Sequence, residues 1–141
     1  MPEDTETQRV ETYLDSELES ADAAENLVIE VARDLGFAEE EIHKLGMAVR
    51  ESVVNAVVHG NRYNRRKKVH LAVSSAPDRL TVKVGDEGEG FDINSIGNPI
   101  ADHNLLQQSG RGIFLIRAFV DEFSVRRLTH GTEVTLMKYR Q

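Results

Sequence analysis

The sequence predicts an α/β domain, on two observations. Leu27, Val28, Val31 and Leu35, and then Ile42, Leu45 and Val49, recur at the three-to-four spacing of amphipathic helices. Val10 to Leu14, Val69 to Ser74, Leu80 to Gly85, Phe123 to Arg127 and Glu133 to Tyr139 are instead alternating or β-branched runs, as half-buried strands are.

The elements follow in order. Arg9 to Glu17 sets Val10, Thr12 and Leu14 against charged residues, which predicts an edge strand with one wet face. Ser20 or Asp22 is placed to cap a first helix that Gly36 stops. A second helix starts near Ala38, with Glu39, Glu40 and Glu41 at the positive end of its dipole, and runs on to Gly60. The runs 69–74 and 80–85 flank Ser-Ser-Ala-Pro-Asp-Arg, a hairpin signal. Residues 85–99 are glycine-rich loop and 100–109 are polar, a long irregular stretch of the kind that is functional or disordered. Ile113, Phe114, Ile116, Arg117 and Val120 suit a third helix entered through Gly110-Arg111-Gly112. Two closing strands then meet at Thr129-His130-Gly131. No internal repeat is visible.

Composition narrows the function. A chain of 141 residues, 40% hydrophobic and 29% charged, is the size of one domain with its own core, and residues 1–141 read as that domain with about 1–8 disordered. It contains no cysteine, which excludes a disulfide framework and a thiol nucleophile. No apolar run approaches the roughly 18 residues of a membrane span, and the acidic start does not read as a signal peptide, so a cytoplasmic protein is expected. The net charge of -7 disfavours direct nucleic-acid binding. Arg62, Arg65, Arg66, Lys67 and Lys68 form one basic cluster, readable as a solvated loop after a helix or as a place for an anionic ligand or partner.

The chemistry concentrates in Met47 to Tyr63, where Glu51, Asn55 and His59 would share one face of a mostly apolar helix. A carboxylate and an amide one turn apart can serve a hydroxyl proton and a hard cation. The same stripe can equally face solvent or a loop. Asp86-Glu87-Gly88-Glu89-Gly90 leaves a strand with one carboxylate among glycines, which suits the exocyclic amine of a flat ligand such as adenine, or is simply an acidic turn. Ser109-Gly110-Arg111-Gly112 precedes a helix, where backbone N–H groups and the dipole can hold phosphate. A linker and helix start is the plainer reading of that stretch alone. It lacks the spacing and lysine of a Walker loop.

In order, Glu51 with Asn55, Asp86-x-Gly88-x-Gly90, Gly110-x-Gly112 before a helix, and Gly131-Thr132 before a strand form a set that resembles the GHKL ATPase superfamily. Within it, the chain is most similar to the anti-sigma factors that are also serine-protein kinases, from residue 9 to Tyr139. The resemblance implies a two-layer α/β sandwich of the GHKL (Bergerat) type, a mixed, mostly antiparallel sheet with helices on one face. It implies ATP and Mg²⁺ as cofactors. Glu51 would be the general base and Asn55 the Mg²⁺ ligand; Asp86 would hold adenine, with Gly88 and Gly90 shaping the pocket and Thr132 near the base. Ser109, Gly110, Arg111 and Gly112 would form the lid on the phosphates. Some members carry arginine directly before the Ser-Gly of the lid; here Gln108 stands there and Arg111 lies inside the motif.

The function so implied is an ATP-dependent anti-sigma factor that sequesters a sigma factor and phosphorylates a serine of an anti-anti-sigma antagonist with a STAS domain, acting as a homodimer. A nucleotide-gated binding module without phosphoryl transfer is the alternative. A histidine kinase fragment is a third reading, against which stands the lack of a dimerisation hairpin with a phosphoacceptor histidine; His43 and His59 read as ordinary helix residues.

Overall fold

The computed structural model describes residues 8–88 and 115–140. A five-stranded sheet runs in the order β1-β2-β3-β5-β4, with β1 Gln8–Asp15, β2 Lys68–Ala76, β3 Arg79–Gly85, β4 Glu122–Leu128 and β5 Gly131–Tyr139. All four pairings are antiparallel. Helices α1, Ser20–Asp34, and α2, Glu39–Asn55, fill the connection between β1 and β2 and pack on one face of the sheet. The α/β, two-layer expectation is met, and Gln8, expected in a disordered start, already belongs to β1.

Alternation decides which face is covered. Val69, Leu71 and Val73 of β2, Leu80, Val82 and Val84 of β3, and Val134 and Leu136 of β5 point at the helices and are buried. Ala24, Val28 and Ala32 of α1 and Leu45, Val49 and Val53 of α2 meet them. Small residues let the helices lie close: a Cβ on Gly46 would sit 3.4 Å from both Glu25 and Ile29 of α1. Ile116, within a helical segment over 115–119, joins the same core. In β1, Val10, Thr12 and Leu14 are half-buried while Arg9, Glu11, Tyr13 and Asp15 are exposed, the wet face the sequence predicts.

The helix ends show where local chemistry departs from expectation. Neither Ser20 nor Asp22 caps α1; the N-cap is Glu19, with no side-chain cap, and the Ser20 hydroxyl donates instead to the Asp15 carbonyl at 2.6 Å, tying the helix start to the end of β1. At the other end Gly36, at φ +87°, lets its own N–H reach the Arg33 carbonyl (3.0 Å) and that of Phe37 reach the Ala32 carbonyl (3.1 Å), a Schellman stop. Helix α2 begins as predicted, with Ala38 before it and the Glu41 carboxylate accepting from the Ala38 N–H at 3.2 Å. Past Asn55, however, the backbone widens into a π turn over Ala56–Gly60, and the Asn61 N–H bonds the Ala56 carbonyl at 2.8 Å. The four-residue stripe therefore holds for Glu51 and Asn55 but not for His59.

Candidate functional site

The π turn delivers the end of α2 to the loop after β3. Gly60 stands so close to Asp86 that a Cβ there would overlap the carboxylate, and a Cβ on Gly88 would overlap the Gly60 carbonyl. From the third side comes Gly131 at the start of β5, at φ +122°, where a Cβ would overlap the Asp86 carbonyl. Gly60 and Gly131 thus crowd one aspartate, and Gly88 crowds Gly60 in turn.

Asp86 is 2% exposed. Its Oδ1 accepts from the N–H of Gly88 at 3.0 Å and of Thr132 at 3.3 Å, and its own N–H donates to the Thr132 carbonyl at 3.0 Å. Both side-chain bonds fall on Oδ1, so Oδ2 is the oxygen left for an outside donor. Burial pushes the carboxyl up from the ordinary aspartate value, while the two N–H bonds and the positive field of Lys67 and His70 pull it back. A carboxylate buried beside glycines, with no ion pair among the described residues, is a pattern expected where a ligand supplies a further donor.

Three other buried side-chain atoms lack partners among the described residues: Oε2 of Glu41 in the first turn of α2, Nδ2 of Asn55 at the end of that helix, and Oγ1 of Thr132, adjacent to Gly131; the last two are the ones near Asp86. Thr132 is 1% exposed and Asn55 3%. A buried hydroxyl or amide without a partner costs about 1–3 kcal/mol, so these groups fit a pocket that a polar ligand completes. Glu51, one turn before Asn55, is half-buried; burial pushes its carboxyl up, against the opposing charge of Arg50. Arg50 itself is bound to Asp22 and, at 2.8 Å, to Glu25 of α1. His59 is half-buried and pushed down, first by burial and then by Arg62, so it is neutral at pH 7.

Among the described residues no three His, Asp or Glu side chains gather as a metal centre. A hard cation here would be held through Asn55 together with oxygens of its own ligand, which suits Mg²⁺ with phosphates. Of the expected site residues, Asp86, Gly88 and Thr132 lie together, and Glu51 and Asn55 lie on the helix whose continuation reaches them. Gly90, Gln108, Ser109, Gly110, Arg111 and Gly112 lie outside the described residues. Sequence reading missed one of these glycines: Gly60 looks like a helix stop, and only its packing against Asp86 gives it another role, whereas Gly131 already stands in the ordered set with Thr132.

The family model of the histidine kinase-like ATPase domain matches residues 14–138. The serine-protein kinase RsbW of Bacillus subtilis strain 168 is 32% identical over 115 residues, covering 77% of this chain and 71% of the relative. That of Oceanobacillus iheyensis is 29% identical over 115 residues, 77% of this chain and 72% of the relative. Among solved structures, the RsbU and RsbW domains of a Mycobacterium tuberculosis protein superpose with a TM-score of 0.68 at 21% identity. That likeness, which concerns the fold, covers 96% of this chain and 33% of the other, so the chain spans about a third of that protein's length.

Proposed function

The chain belongs to the histidine kinase-like ATPase family, in its group of serine-protein kinases and anti-sigma factors, and from that membership we propose that it is an ATP-dependent anti-sigma factor and kinase. It sequesters a sigma factor and phosphorylates a serine of a STAS-type antagonist. The observation that carries the ATP assignment is the buried Asp86 carboxylate, set against Gly60 and Gly131 and taking both of its backbone N–H bonds on Oδ1.

Bound Mg²⁺-ATP supplies the phosphoryl group and the positive charge that offsets its oxygens. The chain's own groups do the rest. Asp86 accepts from the exocyclic amine of adenine, and the Thr132 hydroxyl lies beside it at the base. The Asn55 amide oxygen holds the cation. Glu51 accepts the proton of the substrate serine, and its upward-shifted carboxyl suits a base, since a proton acceptor works best with a value nearer the working pH. Ser109, Gly110, Arg111 and Gly112, which lie outside the described residues, are the groups that the family resemblance assigns to the phosphates. The lid, the Asn55–cation contact and the homodimer come from family membership.

The test is calorimetric titration with ATP and ADP, with and without Mg²⁺, on wild type, Asp86→Asn and Glu51→Gln, followed by labelled ATP and a STAS-domain partner. Wild type should bind both nucleotides, Asp86→Asn neither, and Glu51→Gln should bind ATP yet leave no phosphoserine. Nucleotide binding without transfer by wild type would leave a nucleotide-gated binding module. Absence of binding by wild type would leave a shared fold alone.

A further inference from the structure

Asn61, the residue after the π turn, is 2% exposed and bonded on every side. Its Nδ2 donates to the Ser16 hydroxyl at 3.2 Å and the Lys68 carbonyl at 3.0 Å, and its Oδ1 accepts from the Glu87 N–H at 2.8 Å. A carbonyl only accepts and an N–H only donates, so this amide has one workable orientation. One side chain therefore joins the end of the π turn, the residue after β1, the first residue of β2 and the residue after Asp86. Glu87 returns the connection: its Oε1 accepts from the Lys68 N–H at 3.1 Å and its Oε2 meets Nε2 of His70 at 2.6 Å. Glu87 is thus fixed by backbone and side chain at once.

The peptide between Asp86 and Glu87 is the link that aims the Asp86 side chain. Its N–H is held by Asn61, and Gly60 leaves the carboxylate no slack on the other side. Resting on the reading of Asp86 as the base-holding residue, we propose that Asn61 and Glu87 are positioning residues for nucleotide binding: they lock the 86–87 peptide so that Oδ2 of Asp86 meets the adenine amine. Neither needs to touch the ligand.

The test is calorimetry with ATP and with ADP on the full chain carrying Asn61→Asp, Asn61→Ala, Glu87→Ala or Glu87→Gln, each checked for fold by circular dichroism. Asn61→Asp keeps the volume but sets an oxygen against the Lys68 carbonyl. It and Asn61→Ala should weaken both nucleotides by about tenfold, the size of one well-placed hydrogen bond. ATP and ADP should lose equally, because the lesion is at the base end. With a phosphorylatable partner, KM for ATP should rise while kcat stays, a split that general loosening of the fold does not give. Glu87→Ala should cost about threefold, and Glu87→Gln, which can still accept from Lys68 and donate to His70, should recover most of it.

A folded Asn61→Asp that binds both nucleotides as wild type does overturns the proposal. If the Asn61 variants do not fold, the half-exposed Glu87 pair decides: Glu87→Ala with wild-type affinity overturns it equally. Wild type that binds no nucleotide removes the ATP reading itself and this role with it, whereas a binding wild type with unaffected variants removes the positioning role alone.

Discussion

Asp86 is held at a cost to the folded protein. Burial raises its carboxyl above the ordinary value of 3.8, so the fold favours the protonated acid. The stability this gives is complete below that ordinary value and is lost as pH rises through the raised one, leaving the ionised group a liability at neutral pH. Asp86→Asn keeps an oxygen for the Gly88 and Thr132 N–H groups. At pH 7 it should therefore melt at or above wild type, by up to about a few degrees, while losing nucleotide. The gain should vanish in melts taken under acid; a clear loss of stability at pH 7 would contradict it. Glu51 is raised from 4.5 for the same first reason. A base acts only when ionised, so the rate of transfer to a partner serine should climb with pH through a midpoint above 4.5, and a rate already flat there would show that another group takes the proton.

At the scale of elements, much was legible before any coordinates. Alternation in 69–74 and 80–85 names both strands and their buried faces, because a period of two has one reading once Pro77-Asp78 marks the turn. Gly36 is legible as a stop because a φ of +87° favours glycine. The π turn is not legible. Val57, Val58 and Ala56 suit either helix width, and what selects the wider one is contact with a loop 26 residues on, where Glu87 bonds Asn61. The site was half legible for the same reason: Asp86 and Gly88 announce a glycine-lined carboxylate, whereas Gly60, Asn61 and Gly131 act only through that packing. Gly60→Ala tests it. The methyl group must push the Asp86 carboxylate aside, so nucleotide affinity should fall by about tenfold or more with the helices intact by circular dichroism; unchanged affinity would mean the pocket gives way easily.

For the whole molecule, the two layers meet where the π turn after α2, the loop after β3 and the start of β5 pack together around Asp86. A ligand there bridges helix layer and sheet, so it should stabilise the folded chain by mass action. Nucleotide at one hundred times its Kd should add about 2.7 kcal/mol to unfolding in denaturant, and nothing in Asp86→Asn. Equal denaturation midpoints with and without ATP in wild type would place the ligand elsewhere.

The strand order carries a consequence for how the chain is made. β5 lies between β3 and β4, and among the described residues β4 has no other neighbour in the sheet. Synthesis runs from the N-terminus, so β4 leaves the ribosome before the strand it pairs with, and Phe123 and Val125 are made before Leu136 and Val134, their partners in the register. Pairing with β3, pairing with β4 and the Thr132 bond to Asp86 all depend on that last-made strand. A nascent chain halted before Gly131 lacks both the strand that joins β3 to β4 and the Thr132 N–H that bonds Asp86.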